Sequence, residues 1–243
     1  MRRSGNRQLI EERFGVTYTL EALSLILKRR GFTLRRPVKA AYEQRPAEVR
    51  QWLDETHPKV RAKAEAENAE IWRGDEFAVK LECHHRRGYA PKGHTPGVRQ
   101  PAKRFHSSLI SAVNNQGSLL WMALKESLNA ELFIQFLGQL IKGRKRKVIL
   151  IEDILRVHHS KPVKAWVGAH KDRIELIYLP AYSPDLNPDK HLKNHLKQTV
   201  TAERAPRTES ELNAKVSVSL YMLKGERKTV RNFFKRPVVA YAA

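Results

Sequence analysis

Two aspartates stand out by their position. Asp75 lies inside the apolar stretch from Ala69 to Lys80, between Ile71-Trp72 and Phe77-Ala78-Val79, and Asp153 closes the apolar run Val148–Glu152. A carboxylate at a buried strand position is costly unless it is paired or binds a metal. Two such acids on neighbouring strands of one sheet could hold a hard divalent cation through oxygen ligands. With two cations, such a site can clamp both the attacking and the leaving oxygen of a phosphodiester. The competing reading is that each acid pairs with one of the many Arg or Lys residues.

The elements that must carry these acids follow from the pattern. His106 to Leu124 holds two strand-like runs, Leu109–Val113 and Ser118–Met122, with Asn114-Asn115-Gln116-Gly117 as a hairpin turn. The pattern then alternates: an apolar-faced helix Ala130–Ile141, a strand Val148–Ile151, a helix Val163–His170, a strand Ile174–Tyr178 and a helix Asp189–Thr201. Hairpin strands followed by alternating helices and strands imply an α/β fold, a mixed sheet flanked by helices. Gly88 and Pro91-Lys92-Gly93 mark turns after the first strand.

Upstream, Arg7 to Phe32 reads as two short helices, the first with Ile10 and Phe14 on one face, the second with Leu23, Ile26 and Leu27. Thr19 is placed to cap the second helix, Glu21 suits its dipole, and Gly31 follows the basic last turn Lys28-Arg29-Arg30. This is the pattern of a helix-turn-helix DNA-binding unit, or of a plain helical hairpin. A basic extended stretch, Arg35-Arg36-Pro37, leads to a polar helix from Pro46 to about Asn68. The expected organisation is therefore 1–36 a partial winged helix-turn-helix, 37–68 a connector helix, 69–205 the α/β domain and 206–243 a helical extension. Within that extension, Lys224–Arg236 reads as a basic helix with Val230, Phe233 and Phe234 packed on the core.

Among 243 residues, 46 Lys+Arg against 25 Asp+Glu give a formal charge of +21. Such an excess favours a polyanionic partner, nucleic acid or an anionic membrane surface. An apolar fraction of 41% supports a real core. No run approaches the roughly 18–20 apolar residues of a membrane span, and no secretory signal is visible. Cys83 is the single cysteine, so no disulfide or cysteine zinc cluster is expected. A cytoplasmic, nucleic-acid-facing protein is the expectation.

The segment Ile151-Glu152-Asp153-Ile154-Leu155-Arg156-Val157-His158-His159-Ser160-Lys161 resembles the second catalytic segment of DDE transposases of the bacterial insertion sequence 630 family, relatives of mariner elements. Leu179-Pro180-Ala181-Tyr182-Ser183-Pro184-Asp185-Leu186-Asn187-Pro188 resembles that family's third segment, and Ala69–Glu76 its first. The likeness extends through Ala90–Gly93, Arg231–Pro237, Glu11–Val16 and Leu27–Phe32, nearly the whole chain. It implies a ribonuclease-H-like fold that binds Mg2+ (or Mn2+) and acts on double-stranded DNA, at element ends and target, in a bacterial, nucleoid-associated setting. Such proteins act as assemblies, so a second copy of the chain is a candidate partner. By motif position Asp75 is the first acid and Asp153 the second.

The third acid of the family is a glutamate two residues after Asn-Pro; here that position is Lys190. A protonated lysine cannot ligate a cation and repels the ions the site should hold. Asp189 lies next to it, but neighbours on a helix diverge by roughly 100°, so its use would require the helix to turn; Asp185 belongs to the loop. Ile154 stands where the family usually has Asn, and only about six residues precede the helix-turn-helix. The resemblance implies a shortened, catalytically impaired copy that still binds DNA.

For DNA contact the candidates are Lys28, Arg29 and Arg30 in the helical unit, and Arg144, Lys145 and Arg146 in the basic run Lys142–Lys147. His158-His159 does not have zinc-site spacing, and the resemblance gives the pair a supporting role beside the acid. Trp72 and Trp121 read as core rather than stacking platforms.

Overall fold

In a computed structural model of the protein, residues 3–33, 41–80, 105–200 and 206–243 are described. The turns at Gly88 and Pro91–Gly93, the stretch Arg35–Pro37 and Cys83 lie outside the described residues. The chain divides into two compact units, Met1–Ala40 and Ala41–Ala243.

The first unit contains α1 (Arg3–Phe14) and α2 (Leu20–Arg29). The Thr19 hydroxyl accepts the Ala22 N–H at 3.1 Å, the cap expected from sequence. The helix stops because Gly31 adopts φ +81°, letting the Phe32 N–H reach back to the Leu27 carbonyl at 2.9 Å. Leu23 is buried, while Lys28, Arg29 and Arg30 are exposed at the negative end of the α2 dipole.

The second unit opens with α3 (Pro46–Gln51), a π turn (Trp52–Thr56) and α4 (His57–Ala66), one continuous run where the sequence predicts a plain helix to about Asn68. Pro58 has no N–H for the Asp54 carbonyl and its ring crowds that oxygen; the wider turn relieves both. This helix is more than a connector in its packing. Trp52, Val60 and Ala64 bury against Ala69, Ile149, Ile151, Leu179 and Leu186.

The sheet has β1 (Glu70–Lys80), β2 (His106–Asn114), β3 (Leu119–Leu124), β4 (Val148–Glu152) and β5 (Ile174–Tyr178), in the order β3-β2-β1-β4-β5. The hairpin pairs are antiparallel, and β1-β4 and β4-β5 are parallel. The hairpin turn is held by Asn114, whose Oδ1 accepts the N–H groups of Gln116 and Ser118.

Strand alternation gives the sheet two apolar faces. On one, Trp72, Ile110, Val148 and Leu150 meet α5 (Ala130–Ile141) through Phe133, Phe136, Leu137 and Leu140, and α6 (Lys161–Ala169) through Val163. On the other, Phe77, Val79, Leu109 and Val113 meet α7 (Asp189–Val200), α8 (Glu209–Gly225) and α9 (Arg227–Phe233). A mixed five-stranded sheet in this order, flanked by helices, is a ribonuclease-H-like fold.

The C-terminal region departs from the reading of one helix over Lys224–Arg236. The long element is α8, whose Leu212, Val216 and Leu220 recur every fourth residue, and the chain breaks at Glu226 (φ −93°, ψ 63°) before α9. Trp72 is fully buried; Trp121 is partly buried and meets Tyr221 edge-on at 5.4 Å. No helix of the described residues is long and apolar enough to cross a membrane.

Candidate functional site

Parallel register brings the two sequence-selected acids together. Arg73 pairs with Ile151, and the same offset carried two residues further sets Asp75 beside Asp153, just past the end of β4. Burial pushes the Asp75 carboxyl up to about 7, the Asp153 charge adds to the rise, and Lys193 and Lys190 oppose it. Asp153 is also raised, chiefly by burial, with Lys190 again opposing and Asp185 reinforcing. Helix α7 therefore delivers Lys190 to both acids and, one turn on, Lys193 to Asp75. Among the described residues neither lysine closes to a 4 Å ion pair with them.

Two further acids are buried here. Asp189, first residue of α7, is fully buried; Ser111 Oγ donates to its Oδ2 at 2.6 Å, and among the described residues no hydrogen-bond partner within normal geometry reaches its Oδ1. Ser111 is the β2 residue opposite Asp75. Burial, then the Asp75 charge, hold the Asp189 carboxyl well above the usual range, with Ser111 offsetting part of this. Lys190 and its neighbour Asp189 thus both lie within electrostatic reach of Asp75, with no turn of the helix.

Glu152 is the other. Alternation turns it to the opposite face from Asp153, where its carboxyl packs directly over Gly74. Any side chain at that position would collide with it. Burial and the charges of Asp75, Asp153 and Asp189 hold Glu152 well above the carboxylate range. His158 Nε2 stands 3.2 Å from Glu152 Oε2; burial lowers His158 to about 4 and raises Glu152, so it disfavours the charged form of both partners. The His158 ring stacks on Phe133 at 4.3 Å, and its Nδ1 lies 3.0 Å from the Asp153 carbonyl, fixing the chain where it leaves β4. His159 is exposed and rests on Tyr178.

The loop before α7 is stitched to the same place. Asn187 Nδ2 donates to the Gly74 carbonyl at 2.6 Å while its Oδ1 accepts the Asp189 N–H. Gln44 donates to Ser183 Oγ and Asp185 Oδ1, and the Tyr241 hydroxyl donates to the Leu186 carbonyl. Asp185 is thereby held as part of the loop.

The basic run before β4 is divided in its commitments. Arg144 Nε donates to the Leu140 carbonyl at 2.6 Å and its guanidinium lies 4.2 Å from the Trp72 ring centre. Arg146 donates to the carbonyls of Asn68 and Ala69, and Lys147 pairs with Glu67 and Glu175. Lys142 and Lys145 face solvent.

The sequence reading did not single out Glu152 or Ser111. Glu152 sits inside the quoted motif, and its signal is strand alternation beside Asp153. Ser111 is the polar residue in an otherwise apolar run, but pairing across strands alone reveals its partner. Among the described residues, no group of three or more His, Cys, Asp or Glu is arranged to hold a metal ion.

Residues 70–213 match the DDE superfamily endonuclease family, and residues 2–56 match the winged helix-turn helix family. No curated protein matches the chain. Among solved structures, a pre-cleavage Mos1 transpososome is 17% identical with a TM-score of 0.66, over 98% of this chain and 74% of that one. The mariner Mos1 paired end complex with Mg is 17% identical with a TM-score of 0.64, over the same shares. The catalytic domain of Mos1 mariner transposase is 14% identical with a TM-score of 0.53, over 84% of this chain and 98% of that one. At these identities the likeness shows a shared fold.

Proposed function

Because the chain belongs to the DDE superfamily endonuclease family, we propose that it is a transposase of the bacterial insertion sequence 630 group. It grips element-end DNA and is impaired in cutting it. The observation that carries this reading is the meeting of Asp75, Asp153 and Lys190 at the end of two parallel strands.

Asp75 and Asp153 present hard oxygen donors side by side, and magnesium is commonly held by one or two carboxylates together with substrate phosphates. The pair suits one such ion, whose contribution is to polarise the phosphodiester and offset the charge that develops on it. A second ion has little to hold it. The position that would supply the third acid bears the Lys190 ammonium, Lys193 adds another positive charge, and Asp189 already accepts from Ser111. The residues themselves do three things: the acids attract a cation, His158 and Asn187 fix the strand ends that carry them, and the lysines oppose cation entry.

The DNA grip is assigned to the winged helix-turn helix region, with Lys28, Arg29 and Arg30 exposed at the end of α2, and to Lys145. Since similar solved structures include paired-end complexes, a second copy of the chain is the expected partner on DNA.

The test is nicking of element-end DNA by the purified protein with Mg2+ or Mn2+, beside Lys190→Glu. The variant is expected to cut at least tenfold faster and to bind Mn2+ more tightly by calorimetry. Equal rates in the two proteins would overturn the impairment. A second reading, a DNA-binding regulator without catalysis, is favoured by the two lysines that face the acid pair. It predicts DNA affinity unaffected by chelator, with no cleavage by the unmodified chain.

A further inference from the structure

We propose that Arg73 heads an anion-binding cavity in the second unit, built for the phosphate group of a free or nucleic-acid-borne oxyanion. Arg73 is only 1% exposed, yet among the described residues no carboxylate lies within ion-pair distance of it. Its Nη2 meets His57 Nε2 at 2.7 Å; among the described residues its Nε and Nη1 have no acceptor. A guanidinium stays charged at any physiological pH and carries five N–H donors in a planar fork that matches phosphate. Most of that fork is unspent. His57 accepts rather than neutralises, and Tyr241 offers its ring, 5.6 Å from the guanidinium carbon, while its hydroxyl is used on Leu186.

Space for the missing partner is present. A cavity of about 40 Å³ adjoins the guanidinium, lined by Arg73, His57, Arg61 and Asn115 among others. That volume exceeds what one water needs, and with the Arg73 guanidinium in its wall it would not stay dry. Arg61, Ile71 and Asn115 also line a wider groove of about 410 Å³ that includes Arg146 and Asn68. The two share these three wall residues, and the groove carries Arg61 and Arg146 beside Glu65 and Glu70, so a phosphate in the cavity would leave the rest of its molecule on this side.

Arg73, His57, Arg61 and Asn115 bring polar groups to the cavity, and Ile71, Phe234, Ala242 and Ala243 complete its wall. Asn115 is exposed in the β2-β3 turn, and Arg61 projects from α4. Water would satisfy N–H groups but would not balance the charge; an oxyanion does both. Arg73 lies two residues before Asp75 on β1, and the Tyr241 beside it also feels Asp185 and Asp153, so the cavity adjoins the acid cluster; its assignment stands whether or not the chain cuts DNA.

Thermal unfolding of the full chain, with inorganic phosphate titrated against chloride at matched ionic strength, tests the assignment. Phosphate is expected to raise Tm saturably by several degrees beyond chloride. Arg73→Met should abolish that increment, whereas a charge-matched surface control, Arg50→Met, should keep it. Should Arg73→Met fold poorly, Asn115→Asp supplies the same test: it places a carboxylate at the cavity wall, so Tm should rise without phosphate and cease to respond to it. A wild-type response equal to that in chloride, or an unchanged phosphate response in Asn115→Asp, would overturn the site. Displacement of phosphate by a 5′-phosphorylated dinucleotide but not by its 5′-hydroxyl counterpart would assign the anion to nucleic acid. Displacement by neither would assign it to the free ion.

Discussion

Ser111 Oγ donates a 2.6 Å hydrogen bond to Oδ2 of Asp189, fastening the first turn of α7 to the strand residue opposite Asp75. The bond links the two ends of the acid cluster across the sheet. Ser111→Ala leaves a fully buried carboxyl without its side-chain donor, and a buried polar group stripped of its partner costs about 1–3 kcal/mol. Urea unfolding should show a lower midpoint with an unchanged slope. Asp189→Asn keeps an acceptor for Ser111 and removes an acid that burial already disfavours, so its cost should stay within about 1 kcal/mol.

Gly74 gives a second, sharper prediction. A methyl at this position meets the Glu152 carboxyl, which is buried. Overpacking of this kind costs about 1–3 kcal/mol. Gly74→Ala should therefore lower stability by that amount, and Glu152→Ala should recover part of the loss when combined with it. A double-mutant cycle reads the coupling, and strictly additive losses would show that the two groups do not press on each other.

Arg144 and Lys145 are adjacent and both cationic, and they should behave differently. Arg144 ties the end of α5 to the Trp72 face, so Arg144→Ala should cost about 1–2 kcal/mol through the lost cation–π contact and hydrogen bond. Lys145 is exposed, and Lys145→Ala should leave Tm unchanged. If Lys145 touches a DNA phosphate, the same variant should weaken binding to all sequences alike and reduce the salt slope by about 1. Filter binding across a salt series measures this.

What was legible in the sequence follows from which interactions are local. Thr19, Gly31, the Asn114 turn, α5 and β5 were visible because caps, turn residues and apolar spacing act within a few positions. The break at Glu226 and the π turn before Pro58 were not, because each depends on how a helix meets its neighbours. Asp75 and Asp153 were found as acids in apolar strands. Glu152 was not singled out, and Asp189 was weighed only as a neighbour of Lys190 that would need the helix to turn, because their burial is set by Gly74, Ser111 and Asn187, residues distant in sequence that register alone brings near. The division of the basic run was equally hidden. Nothing local distinguishes Arg144, spent on Trp72, from Lys145, facing water.

The last prediction concerns pH and a pair of helix–sheet ties remote from the acid cluster. Glu175 on β5 receives hydrogen bonds from Lys63 of α4, at 2.6 and 2.7 Å, and an ion pair from Lys147 at 3.3 Å. Burial works against its ionised form, but the two lysines prevail and hold the carboxyl below its ordinary range. A carboxylate whose folded pKa is depressed adds stability that is fully present above its unfolded pKa, near 4.3, and is lost as pH falls through the lower folded value. Glu175→Gln should accordingly be less stable than wild type at pH 7. The difference is a modest one, since Lys63 is 42% exposed and solvent screens the pair. Below the folded-state value the two proteins should converge, because both then carry a neutral group at this position. Unfolding midpoints measured from pH 7 to pH 3 check the sign: a gap that widened on acidification would mean that the lysines do not stabilise the ionised form.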